Sequence, residues 1–584
     1  MSDRFTNLIA GILLFFLFLI AVFSILNDTF ITDEPPHIAA GYSYLTQKDM
    51  RLNPEHPPFL KDIAAFPLLF LDLNFPLQHP AWLQEDNPFW WHQFNLGGEF
   101  LYRSGNNPDQ ILILARLPMI LILILLGFYI FKWARELFGN KTALLALFLF
   151  SFSPTFLAHG RLVTTDVGAA AGVFIATYYF IKALKTSSKE NIILAGISFG
   201  LAELCKFSVI LLIPFFAILA LIWWLIKLGT WKKALKILIL VFIIGYLLIW
   251  PVYQYHVWNY PPERQARDTE FLLGSTPFPF LRETLIWAST KPVLRPFAEY
   301  FLGLALVFQR ATGGNTTYFL GEVSAAGWKN YFPTVYLIKE PLTFHILTLI
   351  ALLYAAFLIK KPFWQDTKKR ISSWIKNHFP EFAMLSFIGL YWIVSLASSL
   401  NIGVRHLLPV FPFTILLVSR MTGNLIKPPF LRLKCTILGI LILWQAVSVI
   451  SIYPHFLAYF NELGGGPNQG YIYTVDSNLD WGQDLKRLKK WVEENKIDKI
   501  YVDYFGGGDA KYYLKEKYAP WWGTRDLKEF PKGNYLAVSA TFLQGGRGIP
   551  TPGFNQPYGY YHWLDKYTPV AKIGYSIFVY YIVQ

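Results

Sequence analysis

Apolar positions in this chain are massed into long blocks. Runs of roughly 17–25 residues recur, each about long enough to cross a hydrocarbon core about 30 Å thick. Eleven are read, at roughly 8–26, 111–131, 142–158, 165–181, 190–205, 207–226, 235–251, 332–359, 381–399, 406–419 and 435–453. Polar residues, prolines and charges return between the blocks. The pattern predicts an α-helical polytopic membrane protein of about 11 transmembrane helices.

The first run lacks a small-residue cleavage site, so a retained signal anchor is expected, not a removed leader. Basic residues give the orientation. Lys132, Arg135 and Lys141 fall in one connection and Lys182, Lys185 and Lys189 in another. "KLGTWKKALK", "KKPFWQDTKKR" and "RMTGNLIKPPFLRLK" occupy three more. A cytoplasmic N-terminus places all five on the cytoplasmic side, as the positive-inside rule requires, and leaves the C-terminal segment extracytoplasmic. The expected location is the cytoplasmic (inner) membrane. Composition agrees: 54% of residues are hydrophobic and 15% charged. The net charge of +14 is a signal of topology, and no nucleic-acid partner is expected. The two cysteines, Cys205 and Cys435, lie in apolar runs and form no disulfide framework.

Three regions stand outside the membrane in this reading. Residues 27–110 form a first outer loop in which "HIAAGYSYL" and "FLKDIAAFPLLFL" read as interfacial helices, with Trp82, Trp90 and Trp91 at headgroup level. Residues 251–331 form a second long outer loop. "FAEYFLGLALVF" within it reads as a further interfacial helix, not a span, because a span there would invert every later loop. Residues 454–584 mix a helical pattern, "LKRLKKWVEENK", with strand-like "KIYVDYF", "NYLAVSAT" and "YSIFVYYIV". They are expected to form a small C-terminal α/β domain after a membrane domain spanning 1–453.

Chemistry concentrates just past the first apolar run, in "TDEPPHIAAGYSYLTQKDMRLNPEHPPFLK". Thr32 or Asp33 can cap a helix whose first turn accepts Pro35 and Pro36. Asp33, Glu34 and His37 then lie within one turn. "NPEHPPFLK" reads as an extended elbow presenting Glu55 and His56, with Lys61 in the helix that follows. Carboxylates near an apolar boundary can act as general bases. Further charges fall at the same face: His159, Arg161 and Asp166, then Lys206, Lys339 with Glu340, and Arg405 with His406. An acidic cluster facing several cations suits loss of a phosphate leaving group: a base for the nucleophile, cations for the departing phosphate. In the tail, Asp476, Asp480 and Trp481 either bind an acceptor or simply cap and start a helix. His37, His56, His92 and His159 with Glu55 have zinc-binding chemistry but no tight ligand spacing. No cofactor is required, and a divalent metal stays an open alternative.

The ordered set "TDEPPHIAAGYSYL", "NPEHPPFLK", "SPTFLAHGRLVTTDVG", "YFLGEVSAAGWKNYFPTVYLIKEPL" and "GVRHLLPVFPF" resembles the C-type polytopic glycosyltransferases. The branch is that of the protein O-mannosyltransferases and lipid A aminoarabinose transferases. The resemblance implies an inverting transfer of a sugar from a polyprenyl-phosphate donor to an acceptor hydroxyl. It implies Asp33 as catalytic base with Glu34 beside it, and an acidic elbow, Glu55 and His56, lining the cavity, to which the residue pattern adds His37 and Lys61 as donor-phosphate or cavity candidates. Lys206 and Arg405 match basic positions near the lipid-linked phosphate and Arg161 and Asp166 match the family's second outer loop; Lys339 and His406 are further donor-phosphate or cavity candidates from the charge pattern. Two features depart from the family: the elbow reads Glu-His-Pro-Pro where the aminoarabinose enzymes have Glu-Lys-Pro, and no β-trefoil insertion is present. The sugar and the acceptor (protein, lipid or glycan) are therefore left open. The alternatives are an oligosaccharyltransferase-like ligase with a lipid-pyrophosphate donor and a metal, a lipid or solute transporter, and an inactive scaffold.

Overall fold

A computed structural model describes residues 2–84, 88–359 and 365–583. Part of the basic stretch "KKPFWQDTKKR" lies outside these residues. Each of the eleven apolar runs falls on helix. Among the described residues, eight helices are long and apolar enough to cross a membrane, from Asp3–Ser24 to Leu431–Ile450. The pair Tyr331–Lys339 and Leu342–Phe357 would make a ninth but bends by 111°. The cause is local: Pro341 cannot donate a helical hydrogen bond and drives Glu340 into an extended conformation (φ −101°, ψ 152°). Two predicted runs are shorter than a full span. Asn140–Ser151 stops before Ser153-Pro154, where a new short helix, Pro154–His159, is capped by the Ser153 hydroxyl; Lys189–Glu203 has 15 residues.

After the first span the chain turns through Asp28 into the helix Glu34–Gln47, and the elbow 53–58 leads to the helix Phe59–Ala65. Phe66, Phe70 and Trp91 are left exposed nearby, as expected of an interfacial layer. "FAEYFLGLALVF" lies in the helix Arg295–Gly313, which buries Tyr300 and Leu302 and exposes Phe301 and Phe308. It is not among the spanning helices.

The tail carries a five-stranded sheet. Its order is β4 (Tyr518–Pro520), β3 (Ile500–Asp503), β5 (Asn534–Ser539), β8 (Ile577–Ile582) and β7 (Ala571–Ile573). β3 runs parallel to β4 and β5; β8 is antiparallel to β5 and β7. Leu485, Leu488 and Val492 of the helix Leu485–Glu494 pack into the same core as Ile500, Ala537 and Val579. A second sheet ties the tail to the loop before it. β1 (Thr317–Phe319) pairs antiparallel with β2 (Glu322–Ser324), and β2 pairs parallel with β6 (Ile549–Pro550) of the tail.

A buried ionic cluster anchors the tail to the membrane part. Asp28 meets Arg116 at 3.0 Å, Arg161 at 2.7 Å and Arg487 at 3.0 Å. Arg487 also pairs with Asp484 at 2.6 Å. Burial alone would raise the Asp28 carboxyl, but the three guanidiniums hold it below its ordinary value. Backbone bonds continue the seam, from Thr29 N–H to Gln483 O (2.9 Å) and from Thr32 N–H to Trp481 O (3.0 Å). The "FGGGD" turn completes it. A Cβ on Gly507 would stand 2.3 Å from Ile31 O, so only glycine allows the tail backbone this close to the acidic helix.

Candidate functional site

Asp33 takes the N-cap position of Glu34–Gln47, yet its side chain makes no capping bond. Glu34 does the local work instead: its Oε2 accepts from Ile31 N–H at 2.9 Å. Glu34 also receives Arg116 through both oxygens at 2.7 Å and Val163 N–H at 3.0 Å. It is fully buried, whereas the Asp33 side chain keeps 30% exposure. The two neighbours thus separate, Glu34 into the protein and Asp33 into a cavity.

That cavity, about 630 Å³, lies between the membrane helices, the two long loops and the tail. Its size is that of a small-molecule site. Asp33, His37, Glu55, His56, Lys206, Arg405, His406, Asp476 and Trp481 all line it. Lys206 reaches Asp166 at 2.6 Å. Arg405 lies 3.3 Å from Asp166 and 3.3 Å from Asp33, using Nη1 for both. Its Nε is buried without a partner, and the Trp481 ring packs 4.2 Å from its guanidinium carbon. The charged groups are therefore cross-neutralised but not exhausted. The Arg405 Nε–H is left without a hydrogen bond among the described residues.

The elbow is held from behind. Lys61 is buried and donates to Asn53 O (2.8 Å), Asn53 Oδ1 (3.0 Å) and His56 O (2.8 Å). Burial pushes its ammonium down to about 7. Glu55 projects from this elbow onto Arg310 at 2.6 Å, and burial raises its carboxyl in spite of that pairing. The His37 and His56 rings meet edge to face at 5.3 Å. Burial lowers both imidazoles, keeping them neutral, and His37 Nδ1 lies 2.9 Å from Val163 O.

Several expected site residues lie outside the cavity. Glu34 and Arg161 belong to the anchoring cluster, Arg161 binding Ser24 O and Asp28 at 2.7 Å each. Lys61 supports the elbow. Lys339 donates to three carbonyls, Leu457 (2.8 Å), Tyr459 (2.6 Å) and Asn478 (2.6 Å), which satisfy its ammonium completely. Asp480 accepts from Thr541 N–H at 2.8 Å. Asp166 sits behind the lining as the counter-charge of Lys206 and Arg405. Among the described residues no group of three His, Cys, Asp or Glu side chains could hold a metal.

Residues 110–254 match the family model described as dolichyl-phosphate-mannose-protein mannosyltransferase. Solved structures to which the chain is similar include ArnT from Cupriavidus metallidurans bound to undecaprenyl phosphate. Identity there is 12%, 99% of this chain and 98% of that chain are covered, and the TM-score is 0.47. The archaeal oligosaccharyltransferase AglB from Archaeoglobus fulgidus, in complex with an inhibitory peptide and a dolichol-phosphate, gives 11% identity, coverage of 92% and 71%, and a TM-score of 0.49. The S. cerevisiae protein O-mannosyltransferase Pmt1-Pmt2 complex bound to the sugar donor gives 17%, 44% and 34%, and 0.33. No curated protein matches the chain in sequence.

Sequence reasoning missed Arg310, and it placed Trp90 only at headgroup level, not at the cavity. Arg310 lines the cavity from the last turn of Arg295–Gly313 and lies 5.5 Å from the Trp90 ring centroid. The available signal was a single cation closing an otherwise apolar amphipathic stretch.

Proposed function

We propose that the chain is an inverting glycosyltransferase that moves a sugar from a polyprenyl-phosphate donor to an acceptor hydroxyl on the outer face of the cytoplasmic membrane. The supporting observation is that Arg405 and Lys206, both paired with Asp166, line one cavity with Asp33, and that the buried Arg405 Nε has no hydrogen-bond partner among the described residues. A guanidinium fork binds phosphate through paired N–H groups, and a buried unpaired N–H favours a ligand that completes it. Phe207, Ile210, Leu211 and Val394 give the same cavity an apolar side suited to a prenyl tail.

In this reading the donor phosphate takes the Arg405 edge and Lys206. Asp33 faces the acceptor hydroxyl. The acceptor oxygen attacks the anomeric carbon from the side opposite the phosphate, and the hydroxyl proton passes to an Asp33 oxygen. The bond from the anomeric carbon to the phosphate oxygen breaks and its electron pair leaves on the phosphate, inverting the configuration. Arg405 stabilises charge at both ends of the exchange, since it touches Asp33 and borders the leaving group. His37 and His56, neutral in the folded chain, add polarity without charge. In this reading the N-terminus lies in the cytoplasm and the tail (454–584) outside as an extracytoplasmic domain, the arrangement that the basic connections favour.

The test is donor retention. Protein purified in native-like membranes is expected to carry a polyprenyl-phosphate sugar detectable by mass spectrometry, and Arg405→Ala is expected to lose it. Folded wild-type protein that retains no polyprenyl phosphate defeats the reading. A polyprenyl pyrophosphate in its place would move it to the ligase alternative.

A further inference from the structure

The tail forms the roof of the cavity, and Asp476 is its one acidic group there. Its side chain lines the cavity and, among the described residues, makes no ion pair and accepts from the Ser477 N–H alone. Its backbone is left-handed (φ 55°), a costly conformation that aspartate tolerates better than most residues. Neighbours hold it there. Its N–H goes to Thr541 Oγ1 at 3.1 Å, and the Thr541 hydroxyl donates to Asp480 O at 3.1 Å. Phe505 and Phe542, ring centroids 5.6 Å apart, line the same roof half-buried, together with Tyr560 and the Gln556 amide.

A carboxylate and an amide among partly open aromatic rings is the chemistry that holds a sugar. Hydroxyls donate to the oxygens while the C–H face of the ring packs on the aromatics. An extended peptide would instead look for a free strand edge. Of the two strands in the cavity wall, β2 is paired on both sides and β1 is covered at its C-terminal end. One side of β1 pairs with β2; on the other, Leu320 N–H bonds Tyr473 O at 3.0 Å and Phe319 bridges Thr474.

We infer that the tail roof is the acceptor subsite and that the acceptor is a carbohydrate, with Asp476 accepting hydrogen bonds from hydroxyls next to the one that reacts. This rests on the donor chemistry proposed above and names the substrate class on its other side. Asp476 thereby makes the tail part of the reacting site.

The experiment uses full-length protein in nanodiscs, purified with its lipid-linked sugar. Loss of the bound sugar is followed after adding soluble methyl hexopyranosides, dodecyl glycosides anchored in the bilayer, or a threonine-containing peptide. A sugar is expected to accelerate turnover saturably. Response to the soluble form places the acceptor in solution, and response to the anchored form alone places it on a lipid. Asp476→Asn, which keeps the left-handed backbone, is expected to raise the acceptor KM about tenfold or more while retaining bound donor. Phe542→Ala is expected to raise KM in the same direction. Turnover driven by the peptide and by no sugar overturns the inference, as does an unchanged acceptor KM in Asp476→Asn. Absence of bound donor from wild type is a separate failure, that of the donor reading itself.

Discussion

Asp33 and Arg405 stand 3.3 Å apart although 372 residues separate them in the chain. The contact joins the first polar segment after the first span to the entry of the span Val404–Leu425. Trp481 from the tail packs against the same guanidinium. Three distant segments therefore converge on one charge, and the predictions below separate what each contributes.

Adjacent acids should behave differently. Glu34 is buried against Arg116, and removing one partner of such a pair strands the other charge. Glu34→Gln is expected to destabilise the protein by about 3–5 kcal/mol, read as a fall in the thermal unfolding midpoint. Asp33→Asn should leave that midpoint nearly unchanged and abolish turnover.

The distinction between these two residues was not legible in the sequence. Both lie in one acidic turn, and the groups that bury Glu34 come from afar: Arg116, 82 residues away inside another helix, and the Val163 N–H. The spans were legible because apolar runs of that length have few other uses, and β3, β5 and β8 because they are four to six residues long with strand-forming composition. β1, β2 and β6 were not, since two or three residues carry no period. Lys339 looked functional because a lysine in an apolar run is costly. The carbonyls that satisfy it come from the tail, which no local pattern announces.

Lys206 binds Asp166 at the cavity wall, and in the proposed complex also binds phosphate. Lys206→Ala is expected to weaken donor retention about tenfold to a hundredfold, the range for a hydrogen bond to a charged group. Quantitative mass spectrometry of the co-purified lipid across a detergent wash series would measure it.

Trp481 holds the Arg405 guanidinium in place. Trp481→Leu is expected to lower kcat at least about tenfold through a misplaced Arg405, with a smaller change in acceptor KM. Trp481→Phe keeps a ring face and should recover most of the rate. Equal losses in both variants, tracking their unfolding midpoints, would assign Trp481 to packing alone.

Asp476 gives the site a pH dependence. Burial and the Asp33 charge push its carboxyl up, Arg405 and Arg310 pull it back, and the balance lies at about 6. Above that value it is ionised and accepts strongly; below it, the carboxyl is neutral. Acceptor KM should therefore rise as pH falls through about 6, and the Asp476→Asn profile should be flat there. The linked stability has the opposite sense. A carboxyl raised above its ordinary value costs the fold stability when ionised, a cost that disappears as pH falls through about 6 toward the ordinary carboxylate range. Asp476→Asn should accordingly unfold at a higher temperature than wild type at pH 7.5, with the difference shrinking toward pH 4.

The central claim is that Asp33 is the base for transfer from a lipid-linked donor. Its most direct measurement purifies wild type and Asp33→Asn from native-like membranes, quantifies bound polyprenyl-phosphate sugar, and follows its loss on adding a membrane extract. The account predicts donor in both proteins and turnover only in wild type. Equal turnover in Asp33→Asn, with donor bound in each, would contradict it.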